Sequence, residues 1–163
     1  PKLTVGAWIN TDAISGDQYV LAKDDRSGSV SREWGLQLAG GSSAFLIWDE
    51  SARRRIGRSA SGVTAGTWVY IVATYDATRT GSGIDIYRDG AVADDSNNSS
   101  AGGYVAAENT SAKVTLGFRE PAYGFFNGKI AGGPLGPFFV QRELSAGEVL
   151  QLYQLGTDAL GLP

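Results

Sequence analysis

Apolar and polar residues alternate along most of this chain, and turn residues interrupt the alternation about every 8–12 positions. Successive side chains of a β-strand point to opposite faces, so this pattern predicts short, half-buried strands in a sandwich or barrel. The alternation of Trp34, Leu36 and Leu38 predicts that these three side chains share one buried face. The predicted strands are Leu3–Ile9, Gln18–Lys23, Trp34–Leu38, Ala44–Trp48, Thr67–Asp76, Ile84–Arg88, Ala91–Ala93, Lys113–Phe118 and the stretch around Phe138–Val140.

Three local signals refine this picture. Asp89-Gly90 between two strand-like runs predicts a type I′ hairpin, because both central residues of that turn need positive φ. Ser145 and Glu148 form a capping box before an apolar stripe at helical spacing, which predicts a C-terminal helix that packs on the sandwich. Gly156 is placed where a left-handed cap would end this helix. The polar segment Asp94–Gly103 predicts a loop.

Composition excludes several kinds of chemistry. The 163 residues include no Cys, His or Met, so there is no thiol nucleophile, Ser-His triad or thiolate or imidazole metal ligand. With 14 basic and 17 acidic residues the net charge is −3, which disfavours nucleic acid as a partner. No apolar run reaches the roughly 18 residues of a membrane span. The missing initiator Met leads us to expect a piece of a longer protein.

Blocks along nearly the whole chain follow one another in an order typical of a known family. The blocks are Thr4–Ile9, Tyr19–Asp24, Gly66–Asp76, Ile86–Gly90, Leu116–Arg119, Phe126–Ile130 and Leu144–Tyr153. They resemble the laminin G-like domains of the concanavalin A-like lectin/glucanase jelly-roll family. The resemblance implies an all-β fold, an antiparallel jelly-roll β-sandwich with one short C-terminal helix, as a single domain over residues 1–163. That family includes glycosidases, lectins and adhesion modules, so the fold alone does not give the function.

One segment departs from the family pattern. After Phe126–Ile130 the family continues with one or two Asp and a basic strand, whereas Ala131–Pro137 contains no acid. An acid at this place helps to hold calcium in many relatives, so its absence argues against an inherited calcium site. Asp24 and Asp25 form an acidic pair that could supply oxygen ligands to Ca²⁺, with a solvated turn as the alternative. The two prolines lack ladder donors and predict a sheet edge or a bulge.

The loop after the strand Lys113–Phe118 is the first candidate binding segment. It carries Arg119, Tyr123 and Asn127 among glycines and a proline, which favours a solvent-facing loop. A pyranose offers an apolar C–H face and a ring of hydroxyls, so an aromatic ring beside hydrogen-bonding groups suits it. We therefore expect Arg119, Tyr123 and Asn127 to contact a sugar.

The end of the strand Ala44–Trp48 is the second candidate. Trp48 and Asp49 are followed by a basic cluster from which we take Arg55 as a ligand contact. The alternatives are a core position for Trp48 and a solvated hairpin edge for the arginines, since consecutive strand residues cannot share one face.

These observations lead to one principal hypothesis and two alternatives. The principal hypothesis is a non-catalytic carbohydrate-recognition module of a larger extracellular or phage virion-surface protein, with a glycan or cell-surface polysaccharide as its ligand. The first alternative is a structural or adhesion domain with a protein partner, such as a phage tail or capsid decoration. The second is a glycoside hydrolase, which needs two carboxylates roughly 5–5.5 or 6.5–9.5 Å apart. No predicted strand carries alternating acids, which places the hydrolase last.

Overall fold

The computed structural model describes residues 1–27, 31–99 and 102–162, which form two antiparallel sheets and one α-helix. The predicted all-β antiparallel sandwich with a C-terminal helix is thereby confirmed. The helix is α1 (Ala146–Leu160). The strands are β1 (Leu3–Thr11), β2 (Asp17–Asp25), β3 (Ser31–Ala39), β4 (Ser42–Asp49), β5 (Arg54–Ala60), β6 (Trp68–Tyr75), β7 (Ile84–Arg88), β8 (Ala91–Val92), β9 (Ser96–Asn97), β10 (Val114–Leu116), β11 (Gly128–Ile130) and β12 (Phe138–Val140).

The two sheets meet across a continuous apolar core. The first sheet has the order β8-β7-β6-β1, and β11 and β12 both pair with the remaining edge of β1. The second sheet has the order β10-β2-β3-β4-β5-β9. Trp34, Leu36 and Leu38 all lie in the core, as their alternation predicts, where they join residues such as Val5 and Ile71 of the first sheet. Each sheet therefore has an inner face in this core and an outer face directed away from it.

A β-bulge in β2 changes which side chains reach the outer face. Tyr19 pairs with Gln37 and Leu21 pairs with Leu36, so Val20 has no partner on β3. Val20 and Leu21 both belong to the core. Because one residue is inserted, the period of two is shifted and Tyr19 lies on the outer face of the second sheet.

A second bulge lies in β3, close to the end of the same strand pair. Lys23 pairs with Trp34 and Asp24 pairs with Arg32, so Glu33 is the inserted residue. Arg32 consequently lies on the outer face rather than on the same side as Trp34. The Glu33 side chain instead shares a cavity with Trp34 at the open edge of the sandwich.

Helix α1 covers the outer face of the first sheet. The predicted capping box is confirmed: the Ser145 hydroxyl accepts from the Glu148 N–H, and the Glu148 carboxylate accepts from the Ser145 N–H at 2.8 Å. Tyr153 of the helix stacks on Trp8 of β1 with ring centroids 5.5 Å apart. Val149 is fully buried in the same contact.

The predicted end of this helix is wrong. The helix passes through Gly156 and continues to Leu160, and Gly161 is the left-handed cap with φ 63°. Gly156 is buried against Trp8, where an added Cβ would lie 2.1 Å from the indole Nε1. A glycine stands there because the helix backbone packs directly on the indole ring.

The remaining local predictions have mixed outcomes. The hairpin at Asp89-Gly90 has positive φ at both residues, as predicted. The proline-containing stretch 131–137 forms the edge connection between β11 and β12, again as predicted. The segment 94–103 contains the short strand β9, although residues 100 and 101 lie outside the described residues. Strand β5 has no counterpart among the predicted strands. No described helix is both long and apolar enough to cross a membrane.

Candidate functional site

The outer face of the second sheet carries a row of two aromatic rings separated by a glycine. The rings of Tyr19 in β2 and Trp48 in β4 both lie beside Gly35 of β3 on this face. A Cβ on Gly35 would lie 3.3 Å from the Tyr19 ring and 3.7 Å from the Trp48 ring, so the glycine leaves room for both. Tyr19 and Trp48 are only 3% and 2% exposed, which means that something other than a second layer of sheet covers them.

Arginine side chains provide that cover. The guanidinium carbons of Arg26 and Arg32 lie 5.8 and 5.9 Å from the centre of the Trp48 ring, within the range of cation–π contacts. Arg26 also donates from Nη2 to the Tyr19 hydroxyl at 3.5 Å. Burial raises the pKa of Tyr19 above its ordinary value. Trp48 is therefore buried, but beneath charged groups rather than between the sheets.

Each of these two arginines is paired with a carboxylate. Arg32 binds Glu50 through two hydrogen bonds of 2.6 and 3.0 Å. The Arg32 guanidinium holds the pKa of Glu50 below its ordinary value. Arg26 donates to both oxygens of Asp24, the shortest contact being 2.9 Å. The bidentate geometry fixes both guanidinium planes above the aromatic row.

The same contacts show how the suggested calcium ligands are used. Asp24 is fully buried and both of its oxygens accept from Arg26. Asp25 accepts from the N–H and the hydroxyl of Ser27, and these hydrogen bonds lower its pKa. Within the described residues no three acidic side chains come together in a way that could hold a metal ion.

Arg119 differs from the other two arginines because no carboxylate in the described part of the chain pairs with it. Its guanidinium carbon lies 4.3 Å from the centre of the Tyr123 ring and 5.8 Å from that of Tyr19. Its Nη1 donates to the Glu120 carbonyl at 2.9 Å, and its Nε is buried with no hydrogen-bond partner among the described residues. Tyr123 is 50% exposed, as expected for a solvent-facing loop residue. Arg119 is thus a cation held between two aromatic rings, and the described residues use only part of the hydrogen-bonding capacity of its guanidinium group.

The loop that carries Tyr123 is attached to β2 by its backbone. The backbone groups of Arg119 and Tyr123 exchange two hydrogen bonds of 3.0 Å, and the Tyr19 N–H donates to the Gly124 carbonyl at 2.8 Å. Gly124 has φ 63°, and a Cβ there would lie 2.7 Å from the Tyr19 ring. Both constraints favour glycine, which lets the loop pack closely on Tyr19. We call the resulting surface the arginine–aromatic face; it comprises Tyr19, Arg26, Arg32, Trp48, Arg119 and Tyr123.

The structure brings together four of the six residues proposed from the sequence. Arg119, Tyr123 and Trp48 belong to the arginine–aromatic face. Arg55 is the β5 partner of Trp48, so it lies beside the face, and it donates to Asn98 at 3.0 Å. The two candidate segments, 71 residues apart at Trp48 and Arg119, therefore form one surface.

The other two proposed residues lie elsewhere. Asp49 is 3% exposed, and its carboxylate accepts from the backbone N–H groups of Ala52, Val105 and Ala106. Burial alone would raise the pKa of Asp49, but these hydrogen bonds bring it below its ordinary value. Asp49 thus anchors two loops instead of facing the arginines. Asn127 is exposed at the start of β11, where its backbone N–H donates to the Gln18 side chain.

Sequence reasoning missed three members of the face: Tyr19, Arg26 and Arg32. Tyr19 and Arg32 reach it only because of the two bulges, which simple alternation does not reveal. Chemically, the face combines aromatic rings, which can contact C–H groups, with one cation for which the described residues supply no carboxylate partner. Such a surface suits a ligand that has both a flat apolar face and a negative charge.

Known structures resemble the chain in fold. The carbohydrate-binding module CBM40 of the Ruminococcus gnavus IT-sialidase, bound to α2,3-sialyllactose, aligns with TM-score 0.70 at 12% identity, over 93% of this chain and 82% of that one. A Bacteroides ovatus protein described as carbohydrate-binding aligns with TM-score 0.64 at 12% identity, over 92% of this chain and 40% of that one. The receptor-binding domain of botulinum neurotoxin type G aligns with TM-score 0.60 at 13% identity, over 95% and 38%.

Comparison at the level of sequence gives the family. No curated protein matches the chain. A family model of laminin G-like domains, described as the concanavalin A-like lectin/glucanases superfamily, matches residues 2–132, which include the whole arginine–aromatic face and exclude α1. The resemblance inferred from the sequence blocks is confirmed, and the chain belongs to this laminin G-like family of concanavalin A-like domains.

Proposed function

We propose that the chain is a non-catalytic carbohydrate-recognition module that binds a glycan carrying an acidic sugar on the arginine–aromatic face. The observation that carries this proposal is the environment of Arg119. It is held between Tyr19 and Tyr123 and has no carboxylate partner among the described residues. Arg26 and Arg32 are already paired with acids, so Arg119 is the arginine of this face that is available to an anionic ligand.

The arrangement suits the two halves of such a ligand. The guanidinium of Arg119 can form charge-assisted hydrogen bonds to a sugar carboxylate, which are roughly twice as strong as neutral ones. The half-exposed ring of Tyr123 lies next to that guanidinium and can pack against the C–H face of the sugar ring. The bidentate pairs at Arg26 and Arg32 hold the underlying surface rigid before the ligand arrives.

The structural comparisons support recognition as the general role. The R. gnavus module is bound to sialyllactose, a glycan with one carboxylate, and the B. ovatus protein is described as carbohydrate-binding. The neurotoxin domain is a receptor-binding domain. These neighbours share the fold with the chain at 12–13% identity, so the ligand class rests on Arg119 and Tyr123.

The proposal includes the absence of catalysis and a location outside the cell or on a virion. Asp24 and Glu50, the acids at this face, are each engaged by an arginine and act as hydrogen-bond acceptors. A glycosidase needs one carboxyl group that donates a proton to the leaving oxygen. Cell-surface polysaccharides are displayed outside the cell, which is the reason for the proposed location.

Binding of 3′-sialyllactose and of lactose, measured by isothermal titration calorimetry, tests this proposal. We expect sialyllactose to bind more tightly than lactose. Arg119→Ala should weaken sialyllactose binding about tenfold, which corresponds to about 1.4 kcal/mol, and remove the preference over lactose. Tyr123→Ala should also weaken sialyllactose binding, because the acidic sugar loses its contact with the ring.

Lys129→Ala is the matched control for charge. Lys129 is an exposed cation on β11, in the other sheet, and its removal changes the net charge by the same amount. It should leave the affinity unchanged. A glycan array rich in acidic sugars that stays silent, with and without calcium, would contradict the proposal.

A protein-binding role is the second candidate, and one observation favours it. Val114 and Leu116 of the edge strand β10 are 56 and 51% exposed, and Phe125, which stacks on Phe118 beyond that strand, is 62% exposed. An exposed apolar edge strand is a common site for strand addition by a protein partner. If this role holds, Leu116→Lys should abolish binding of that partner, while substitutions at Arg119 should not.

A further inference from the structure

The cavity that Glu33 shares with Trp34 lies at the open edge of the sandwich, and none of its lining residues belongs to the arginine–aromatic face. Its volume is about 420 Å³, which is within the usual size of a small-molecule site. Leu3 of β1 and Phe139 of β12 line it from the first sheet, and Trp34 of β3 and Val114 of β10 line it from the second. The cavity therefore sits where the outermost strands of the two sheets, β12 and β10, leave the inner faces uncovered.

The bulge in β3 directs a buried carboxylate into this cavity. The Glu33 side chain is 8% exposed, and its Oε1 accepts from Lys23 Nζ at 2.5 Å and from the N–H and hydroxyl of Thr110 at 2.5 and 2.7 Å. No hydrogen bond within the described part of the chain reaches the second oxygen, Oε2. One oxygen thus accepts three hydrogen bonds while the other keeps its full capacity as an acceptor.

The cation beside Glu33 has no such capacity left. Lys23 Nζ donates to Glu33, to Asn109 Oδ1 at 3.1 Å and to the Thr110 carbonyl at 3.4 Å, which uses its three protons. Glu108 lines the same cavity. The charged side chains of the cavity are thus two carboxylates and one satisfied ammonium, a set that disfavours an anion. A ligand that donates hydrogen bonds without carrying negative charge fits instead.

The other groups of the cavity match a sugar ring. Because Asn109 Oδ1 accepts from Lys23, its NH₂ group is left to donate at the rim. Trp34 and Phe139 stack with centroids 5.2 Å apart and planes 8° from parallel, and Phe139 is 40% exposed. An acceptor, a donor and an aromatic wall in one cavity suit adjacent hydroxyls, each of which donates and accepts, on a ring with an apolar face.

We infer that this cavity is a binding site for a neutral hydroxylated ring, a neutral monosaccharide unit. It is separate from the arginine–aromatic face in position and in ligand charge. The inference stands on Glu33, Asn109 and the Trp34–Phe139 pair, so it does not depend on the function proposed for Arg119. Together, the two sites would recognise one neutral and one acidic sugar.

Ligand-observed NMR with glucose, galactose, mannose and N-acetylglucosamine at millimolar concentration tests the site. We expect at least one of these sugars to bind to the full chain. Val114→Trp should prevent binding, because the new ring fills the mouth of the cavity from an exposed position. Phe139→Ala and Asn109→Ala should each weaken binding about tenfold, through loss of the aromatic wall and of the amide donor.

The controls separate this site from the arginine–aromatic face. Leu116→Trp makes the same kind of change two residues along β10, at another exposed position that does not line the cavity, and should leave binding unchanged. Tyr123→Ala should also have no effect, whereas it weakens sialyllactose binding. Circular dichroism and thermal melting verify that each variant is folded.

Two results would overturn the inference: none of the four sugars binds, or a sugar binds but Val114→Trp has no more effect than Leu116→Trp. A failure of the function proposed above gives a different pattern. In that case Arg119→Ala leaves sialyllactose binding unchanged, while the neutral sugar still binds and Val114→Trp still removes it.

Discussion

Aromatic rings are buried on the outer faces of both sheets, but different structural elements cover them. On the first sheet, Trp8 stacks on Tyr70 at 5.1 Å and on Tyr153 of α1 at 5.5 Å, so a helix covers the rings. On the second sheet, Tyr19 and Trp48 are buried to the same extent, at 3 and 2% exposure, yet their cover consists of arginine side chains and one loop.

The two kinds of cover favour different roles for the two faces, stability for the first and recognition for the second. An apolar helix on an apolar face gains free energy by excluding water. Arginine stems can cover a ring while their guanidinium groups remain at the surface, where an anion can reach them. We therefore expect substitutions on the first face to change stability and substitutions around Arg119 to change affinity.

The largest effect is expected on the helix-covered face, from Gly156→Ala. The added Cβ would lie 2.1 Å from Trp8 Nε1, so α1 must move away from the sheet. Overpacking of this kind costs about 2–3 kcal/mol of the free energy of unfolding, measured by urea denaturation. Binding of sialyllactose by the folded protein should not change.

Gly147→Ala is the matched control, since it makes the same substitution in the same helix. Gly147 is exposed, with no atom within 4 Å of the added Cβ. It should stabilise the protein by up to about 1 kcal/mol, because alanine favours a helix more than glycine does. Equal effects of the two substitutions would mean that the face of the first sheet is not closed by direct contact with α1.

An intermediate effect is expected from Arg32→Ala on the other face. The substitution removes both hydrogen bonds to Glu50 and one of the two guanidinium groups above Trp48. We expect a loss of about 1–2 kcal/mol at neutral pH, because hydrogen bonds to charged groups contribute about 1.5–3 kcal/mol and water partly screens this pair. Arg54→Ala, at an exposed arginine for which the described residues provide no carboxylate partner, should have almost no effect.

The pH dependence of stability provides a second measurement on the same pair. The Arg32 guanidinium lowers the pKa of Glu50 in the folded state, so its stabilisation is complete above the unfolded pKa of about 4.3 and is lost as pH falls through the lower folded value. The free energy of unfolding should therefore decrease on acidification below about pH 4.5. In Arg32→Ala this decrease should be smaller. An unchanged pH profile would show that the pair does not hold the face together.

The strands and the start of the helix could be predicted because their signals are local. Alternation placed Trp34, Leu36 and Leu38 correctly in the core, and the spacing of Ser145 and Glu148 marked the start of α1. The end of α1 could not be predicted in this way. Glycine is the residue type expected at the C-terminal cap of a helix, but the role of Gly156 is set by its contact with Trp8, which is 148 residues away in sequence.

The candidate site was predicted in part for a related reason. Trp48, Arg119 and Tyr123 were proposed because residue types alone suggested them, in a strand end and a loop. Tyr19 and Arg32 were missed because a bulge inserts one residue, and every residue beyond it changes face. A single sequence contains no local mark of where β2 and β3 lose register, so this part of the face required the structure.

The smallest effect is expected from Lys2→Ala. This substitution tests an exposed ion pair against the partly buried pair of Arg32 and Glu50. Lys2 and Glu143 form an ion pair of 2.8 Å that raises the pKa of Lys2, but the lysine side chain is 56% exposed. Water and salt screen such a pair, and ordering its long side chain offsets the attraction. Differential scanning calorimetry should show a change in Tm within about 1 °C.

The Arg32–Glu50 pair is of similar length but only 24 and 16% exposed. If Lys2→Ala and Arg32→Ala destabilised the protein equally, burial would not distinguish the two pairs, and charge would matter as much beside the helix as it does at the arginine–aromatic face.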